Sequence, residues 1–183
     1  MKFITLILLT FLISLLCISC KKKEISTFYE NISEETGYVF KNNYWGISVI
    51  FPDQYAHFKR SQEFIYFGKK INWPFYDKIH PYKMYYTAFE TKKVLLKNLK
   101  KIVPNRQVQI IKSYRIRNFD IVHYKYSEIY FQCPAIRFEL VGKKHNYVFE
   151  YPDCGGIVND AFHREAERYI LSVIRTAQFI DWR

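Results

Sequence analysis

The chain is poor in the residues on which several kinds of catalytic site depend. It has only 6 glycines in 183 residues, and none of its segments is the glycine-rich loop that binds phosphate groups. No serine lies in the sequence context of a hydrolase nucleophile. The histidines lack the spacing of a strong metal-binding motif; they are His57, His80, His123, His145 and His163. The sequence therefore predicts no enzymatic activity, no cofactor and no metal site.

The N-terminal apolar segment is too short for a typical membrane-spanning helix, which needs roughly 20 apolar residues. Lys2 provides a positive start, and an apolar run from Phe3 to Leu16 leads to Cys17-Ile-Ser-Cys20. This pattern is typical of a secretory signal peptide, which we predict over residues 1–19. An uncleaved membrane anchor and plain secretion with cleavage nearby are the alternatives.

The residues before Cys20 resemble the lipobox of bacterial lipoproteins. In that family a small residue precedes the lipidated cysteine and an apolar residue stands three positions before it. Ser19 and Ile18 fit this pattern, whereas Cys17 stands where leucine is usual. Cys17 is itself a poorer lipid site, because Leu16 would precede it. The resemblance implies a lipid on Cys20 that holds the protein on a bacterial membrane, facing the periplasm or the surface. The outer membrane is favoured over the inner one as its location.

The remaining composition favours one folded domain behind a tether. Residues 20–36 are charged and weakly periodic, and we interpret them as the lipidated tether. Residues 37–183 are then a single globular domain, long enough to bury a core. Apolar content of 49% and aromatic content of 19% favour a β-containing fold over disorder. The formal charge of +11 fits an acidic protein partner, a membrane surface or simple solvation, and export argues against nucleic acid.

Hydrophobic periodicity predicts the order of elements after residue 37. Strands are expected at 38–40, 45–51, 55–58, 64–67, 84–89, 108–116, 121–126, 135–141, 146–151 and 179–182. Helices are expected at 92–103, where Pro104 ends the pattern, and from Asn159 or Asp160 onwards. The prolines between Trp73 and Pro81 indicate an irregular aromatic loop.

This order of elements resembles the PsbP-like α/β sandwich. The segment Asn43-Tyr-Trp-Gly-Ile-Ser-Val-Ile-Phe-Pro52 is similar to that family's opening strand, and Phe138–Trp182 is similar to its late hairpin, helix and closing strand. The chain departs from the family at Asp53-Gln54-Tyr55, which lacks the usual glycine. The resemblance implies an α+β fold with an antiparallel sheet flanked by helices. It also implies a binding or assembly module without enzymatic activity, and some lipoproteins of this shape are immunity proteins against periplasmic toxins.

One aromatic segment is the best candidate for a protein-binding surface. Its rings lie near Lys69, Lys70, Lys78 and Lys83, and tyrosine and tryptophan beside cations are typical of interfaces. The predicted partner-binding residues are Trp73, Phe75, Tyr76, Tyr82, Tyr85 and Tyr86. The alternative interpretation is that these rings fill one end of the sandwich.

A rival function is an envelope enzyme or metal-binding protein that uses histidines brought together by the fold. His163 and Glu167 lie four residues apart on the last predicted helix, a spacing that suits two ligands but suits a surface ion pair better. A pocket with two or more histidines or carboxylates would favour this rival. A flat aromatic and basic face would favour the binding protein.

A disulfide between Cys133 and Cys154 follows from the register of the late hairpin. The apolar side chains of its two strands share a face only if Leu140 lies opposite Tyr147. The same register places Arg137 opposite Glu150, as an opposite-charge pair on the other face. Continued outwards, it brings Cys133 opposite Cys154, and an oxidising compartment favours their pairing.

Overall fold

The computed structural model describes residues 37–52, 64–73, 76–101, 106–128, 133–154 and 158–180. The chain forms two compact units, Met1–Ser33 and Glu34–Arg183, and only the second contains described residues. The expected signal peptide, the tether with Cys20 and the expected strand at 55–58 lie outside the described residues.

Strands dominate the described part of the second unit. The strands are β1 (Tyr38–Asn42), β2 (Ile47–Phe51), β3 (Phe64–Phe67), β4 (Ile71–Trp73), β5 (Tyr76–Ile79), β6 (Tyr82–Ala88), β7 (Arg106–Ile116), β8 (Phe119–Glu128), β9 (Ala135–Leu140), β10 (His145–Pro152) and β11 (Gln178–Phe179). The helices are α1 (Lys92–Leu99) and α2 (Asp160–Arg175). Neither helix of the described residues is long and apolar enough to cross a membrane.

The strands form antiparallel sheets, which together with the helices make the fold α+β. The large sheet has six strands in the order β3-β6-β10-β9-β8-β7, and a small sheet has the order β1-β2-β11. Gly46 ends the turn between β1 and β2 at a φ of 70°, a conformation that favours glycine. The predicted antiparallel sheet flanked by helices is therefore present.

The prediction of an irregular aromatic loop between Trp73 and Pro81 is wrong. This segment contains β5 and the end of β4. The two strands pair as a separate two-stranded hairpin in which Trp73 lies opposite Tyr76. Pro81 lies just outside β5 and β6, so it removes no hydrogen bond from either ladder. A proline next to a strand therefore does not abolish that strand.

The large sheet has an inner face, which carries Met84, Phe138 and Phe149, and an outer face, which carries Lys83, Arg137 and Glu150. The inner face packs with β1, β2 and α2 into one hydrophobic core. The hairpin register is the predicted one, with Tyr147 opposite Leu140, Phe149 opposite Phe138 and Glu150 opposite Arg137. Side-chain alternation thus sends the rings to the core and the charges to the other face.

Cys133 and Cys154 are joined by a disulfide, with their Cα atoms 4.8 Å apart. The bond closes the open end of the β9–β10 hairpin, where the Asp153 N–H donates to the Pro134 carbonyl at 2.7 Å. The pairing predicted from the hairpin register is confirmed.

The outer face of the large sheet receives the short helix α1. Its Leu95 is buried against Val122 and Tyr124 of β8. The Thr91 hydroxyl caps the helix by accepting from the Val94 N–H at 3.4 Å. The helix ends at Leu99, earlier than the expected stop before Pro104, and Lys100 is its C-terminal cap.

Helix α2 covers the inner face. It begins at its cap Asn159, whose Oδ1 accepts from the Phe162 N–H at 2.9 Å, as the predicted start required. Ala166, Ile170 and Val173 lie on its buried side. The short strand β11 follows, one residue earlier than the expected closing strand at 179–182, whose last two positions lie outside the described residues.

Candidate functional site

Glu150 is the centre of an ionic group on the outer face. Antiparallel pairing places it between Lys83 of β6 and Arg137 of β9. Its Oε2 atom accepts from Arg137 Nε at 2.8 Å and from the Tyr85 hydroxyl at 2.9 Å. Its Oε1 atom lies 3.8 Å from Lys83 Nζ, a distance of an ion pair without a hydrogen bond. One carboxylate therefore fixes an arginine and a tyrosine and holds the lysine more loosely.

Glu139 forms a second, deeper polar group on the same face. It is only 5% exposed and accepts from the Tyr124 hydroxyl at 2.8 Å and from Asn146 Nδ2 at 2.9 Å. The Thr87 hydroxyl lies 3.4 Å from the same carboxylate. These partners are neutral donors, and such hydrogen bonds are what allow a buried carboxylate to persist.

Two tyrosines of the outer face, Tyr85 and Tyr124, are held as hydrogen-bond donors. Burial, followed by the charge of Glu150, raises the pKa of Tyr85 far above its ordinary value, and burial with the charge of Glu139 does the same to Tyr124. Burial alone would lower the pKa of Arg137, but Tyr85 and Glu150 outweigh it and raise that pKa. Tyr85 and Tyr124 therefore stay protonated, and Arg137 stays charged, across the physiological pH range.

A cleft of about 430 Å³ adjoins these residues and is lined by Phe64, Lys83, Tyr85 and Tyr86. The Lys83 ammonium lies 4.8 Å from the centre of the Phe64 ring and 5.1 Å from that of Tyr85. Cation–π attraction favours this placement. The cleft thus combines an aromatic surface with one half-buried cation.

The structure divides the predicted partner-binding residues between different environments. Tyr82 is a correction: it is 6% exposed, and its ring stacks on Tyr169 of α2 at 5.0 Å, so it belongs to the core. Tyr85 and Tyr86 both line the cleft, but the register places Tyr86 opposite Tyr147 of the inner face, and its ring packs on Trp45 with centres 5.2 Å apart. The backbones of Trp73 and Tyr76 lie in the β4–β5 hairpin, but their side chains and the whole of Phe75 lie outside the described residues.

The sequence did not single out Phe64, Arg137, Glu139 and Glu150 as parts of a site. The pairing of Arg137 with Glu150 was visible in the hairpin register, and it was a signal that this face is polar. Glu139 follows Phe138 in a strand that is otherwise largely apolar, and its outward parity was a second signal. Phe64 gave no such signal, because its strand is short and follows residues that lack a clear pattern.

A different polar cluster lies where α2 meets the inner face. The Tyr151 hydroxyl lies 2.9 Å from His163 Nδ1, and His163 Nε2 lies 3.3 Å from Asp153 Oδ1. Lys125 Nζ pairs with the other oxygen of Asp153 at 2.6 Å. The carboxylate that contacts His163 is therefore that of Asp153. The predicted pair of His163 with Glu167 is wrong. Glu167 instead accepts a hydrogen bond from the Tyr114 hydroxyl.

His123 is buried beside this cluster, at 5% exposure. Its ring stacks on Phe138 with centres 4.0 Å apart, and neither ring nitrogen has a hydrogen-bond partner within the described ranges. Burial lowers its pKa from 6.5 to about 4, with Lys112 and His163 acting in the same direction and Glu167 opposing them. His123 is therefore neutral at physiological pH.

The other histidines do not join this cluster. His80 Nδ1 lies 2.6 Å from the Gly68 carbonyl, and His145 packs against Tyr86 with ring centres 4.9 Å apart. His57 lies outside the described residues. In the part of the chain that the structure describes, no three histidine, cysteine, aspartate or glutamate side chains are placed to hold a metal ion.

Comparisons with known proteins concern the fold. No protein-family model matches the chain, and no curated protein matches it. Among solved structures, the chain is similar to the solution structure of cyanobacterial PsbP (CyanoP) from Synechocystis sp. PCC 6803, with a TM-score of 0.46 and 8% sequence identity. The match covers 81% of this chain and 95% of that one.

Proposed function

We propose that this protein is a lipid-anchored binding protein of the bacterial envelope, with a PsbP-like domain and no enzymatic activity. The lipid on Cys20 holds it to a membrane, the outer more than the inner, and its domain binds a protein partner. Its duty is either that of an immunity or inhibitor lipoprotein or that of an envelope-assembly factor. The PsbP-like assignment rests on the segment from Asn43 to Pro52 and on the order of elements.

The cleft of Phe64, Lys83, Tyr85 and Tyr86 is the observation that carries this proposal. Aromatic residues are typical of the buried centres of protein interfaces, and Lys83 adds beside them a charge that is partly removed from water. Its volume of about 430 Å³ is also within the range of pockets that hold a ligand or a partner's side chains. Two of the partner-binding residues expected from the sequence, Tyr85 and Tyr86, lie in it.

Site-specific photo-crosslinking in intact cells tests the binding function. A benzoylphenylalanine in place of Phe64 keeps a ring in the cleft, and the same residue in place of Phe89, which is 43% exposed, is the matched control. We expect a discrete crosslinked protein from position 64 and none from position 89. Equal crosslinking from both positions, or none from position 64, contradicts the proposal.

The anchor is tested separately. Metabolic labelling with a fatty acid should label the wild-type protein and move it into the detergent phase. Cys20→Ser should abolish both effects. Continued labelling and continued detergent partition of Cys20→Ser contradict lipidation at this residue.

A second candidate function, an envelope enzyme, is favoured by the contacts of His163. His163 contacts the Tyr151 hydroxyl through Nδ1 and the Asp153 carboxylate through Nε2, and a histidine held between a hydroxyl and a carboxylate is an arrangement that general acid–base catalysis uses. The purified protein would be assayed against chromogenic esters and phosphoesters. Turnover that His163→Ala abolishes and His145→Ala retains supports this candidate, and turnover that both retain argues against it.

A further inference from the structure

Lys83 has hydrogen-bond donors to spare in the middle of an aromatic surface. Its closest carboxylate oxygen, Glu150 Oε1, is 3.8 Å away, whereas the other oxygen of Glu150 receives Arg137 at 2.8 Å and Tyr85 at 2.9 Å. A lysine ammonium has three donors. Glu150 therefore neutralises Lys83 only in part, because its single negative charge also serves Arg137 and it makes no hydrogen bond to the lysine.

Arg137 is not available to a ligand in the same way. Its Nε is bonded to Glu150, and its guanidinium carbon lies 3.9 Å from the centre of the Tyr126 ring. The Lys83 side chain is 32% exposed and lines the cleft, with the Phe64 and Tyr85 rings on its flanks. Of these two cations, Lys83 is thus the one that a ligand in the cleft can reach.

We propose that the cleft binds an acidic polypeptide segment of the partner, in which a carboxylate lies next to an aromatic or large apolar side chain. The carboxylate binds Lys83, and the neighbouring side chain packs on Phe64 and Tyr85. This inference rests on the proposed binding function and names the chemistry of its partner. The formal charge of +11 supports it, because a basic protein attracts an acidic partner before contact is made.

The shape of the site favours a peptide over an anionic lipid surface. The cation lies in a cleft with a ring on either side, where an extended chain can reach it. A membrane surface is best met by lysines that protrude from the protein, whereas Lys83 is held against rings and a carboxylate. The basic composition was compatible with an acidic protein partner or a membrane surface, and the shape of the cleft favours the protein.

Fluorescence anisotropy on the detergent-solubilised full-length protein tests the inference. The probe is a labelled peptide of alternating aspartate and tyrosine, and the control peptide has asparagine in place of aspartate. Lys83→Met removes the charge and keeps the alkyl chain over the rings, while Lys83→Arg keeps the charge. Lys93→Met, at an exposed lysine of α1, is the matched control for net charge.

We expect the acidic peptide to bind and the asparagine peptide to bind at least tenfold more weakly, since a hydrogen bond to a charged group commonly contributes a factor of about ten or more. Lys83→Met should weaken binding by a similar factor, whereas Lys83→Arg and Lys93→Met should change it by less than about threefold. Added salt should weaken the binding of the acidic peptide.

Three results overturn the inference. They are equal binding of the two peptides, equal effects of Lys83→Met and Lys93→Met, and binding only to vesicles of equal parts phosphatidylglycerol and phosphatidylcholine. Crosslinking from position 64 separates this inference from the proposed function. If Lys83→Met leaves the captured partner unchanged, the binding function stands and the acidic-segment assignment falls; if position 64 captures nothing, both fall.

Discussion

The inner and outer faces of the six-stranded sheet use tyrosine in different ways. On the inner face Tyr147 is 1% exposed, and its hydroxyl donates to the Trp45 carbonyl, so the ring fills the core and its one polar atom binds the backbone. On the outer face Tyr85 and Tyr124 donate to the carboxylates of Glu150 and Glu139. The same residue type thus serves packing on one face and a charged network on the other.

This difference follows from what covers each face. The small sheet and α2 cover the inner face, where apolar burial stabilises the protein in proportion to area. The short helix α1 covers part of the outer face around Val122 and Tyr124, while Lys83 and Tyr85 line a cleft beyond it. The inner face is therefore the source of most folding stability, and the outer face is where recognition can evolve without loss of the core.

The largest expected effect is at Phe149, in the centre of the inner face. It is 0% exposed, so Phe149→Ala should lower the free energy of unfolding by about 3–5 kcal/mol through lost burial and a cavity. Phe64→Ala, in the outer cleft, should cost about 1 kcal/mol or less, because its ring is only half-buried. Urea denaturation followed by circular dichroism measures both. Equal losses of unfolding free energy in the two variants would contradict the difference between the faces.

The disulfide is the one outer-face feature for which we expect a large contribution to stability. Cys133 and Cys154 continue the register of Arg137 and Glu150 on that face. Their sequence separation is 21 residues, and a crosslink over such a loop contributes about 3 kcal/mol in the chain-entropy model. The double variant with serine at both positions should lose this amount. A reductant should lower the free energy of unfolding of the wild-type protein to the variant's value and leave the variant itself unchanged. Two free thiols in the unreduced, unfolded domain, beyond that of Cys20, would disprove the bond.

The inner face should also carry a pH dependence through His123. Its pKa is about 4 in the folded protein and about 6.5 in the unfolded chain, so between these values the unfolded chain binds more protons. Stability is therefore lost as the pH falls from about 6.5 to about 4, by at most about 3 kcal/mol.

His123→Phe tests this dependence, because it keeps a ring against Phe138 and removes the titrating group. The readout is the slope of unfolding free energy against pH, not its value at neutral pH. The variant should show a shallower loss of stability than the wild-type protein over this range. Identical slopes would mean that carboxylates elsewhere account for the acid sensitivity.

The smallest expected effects on the free energy of unfolding come from removing a single hydroxyl group on each face. Tyr124→Phe removes a donor to the buried Glu139 carboxylate and should cost about 2 kcal/mol, whereas Tyr147→Phe removes a donor to a neutral carbonyl and should cost about 1 kcal/mol. Thermal and urea denaturation of the two variants supply the comparison. The reverse order would show that the outer network contributes little to stability.

The local features of this protein could be predicted from neighbouring residues. The register of the β9–β10 hairpin, the pairing of Arg137 with Glu150 and the disulfide all follow from strand alternation and a short turn. The start of α2 at its Asn159 cap was also local, since a cap depends on neighbouring residues alone. These predictions succeeded because each needed only one strand pair or one helix end.

Which distant side chains meet could not be predicted in this way, because it depends on how the elements pack. The sequence grouped Tyr82 with Tyr85 as one binding surface, but alternation sends them to opposite faces, and only the position of α2 makes the face of Tyr82 the core. The sequence likewise paired His163 with its helical neighbour Glu167, whereas the fold brings it to Asp153 of another segment. Periodicity specifies that a strand has two faces, but which face is buried depends on the elements that pack against it, and those contacts join residues distant in the chain.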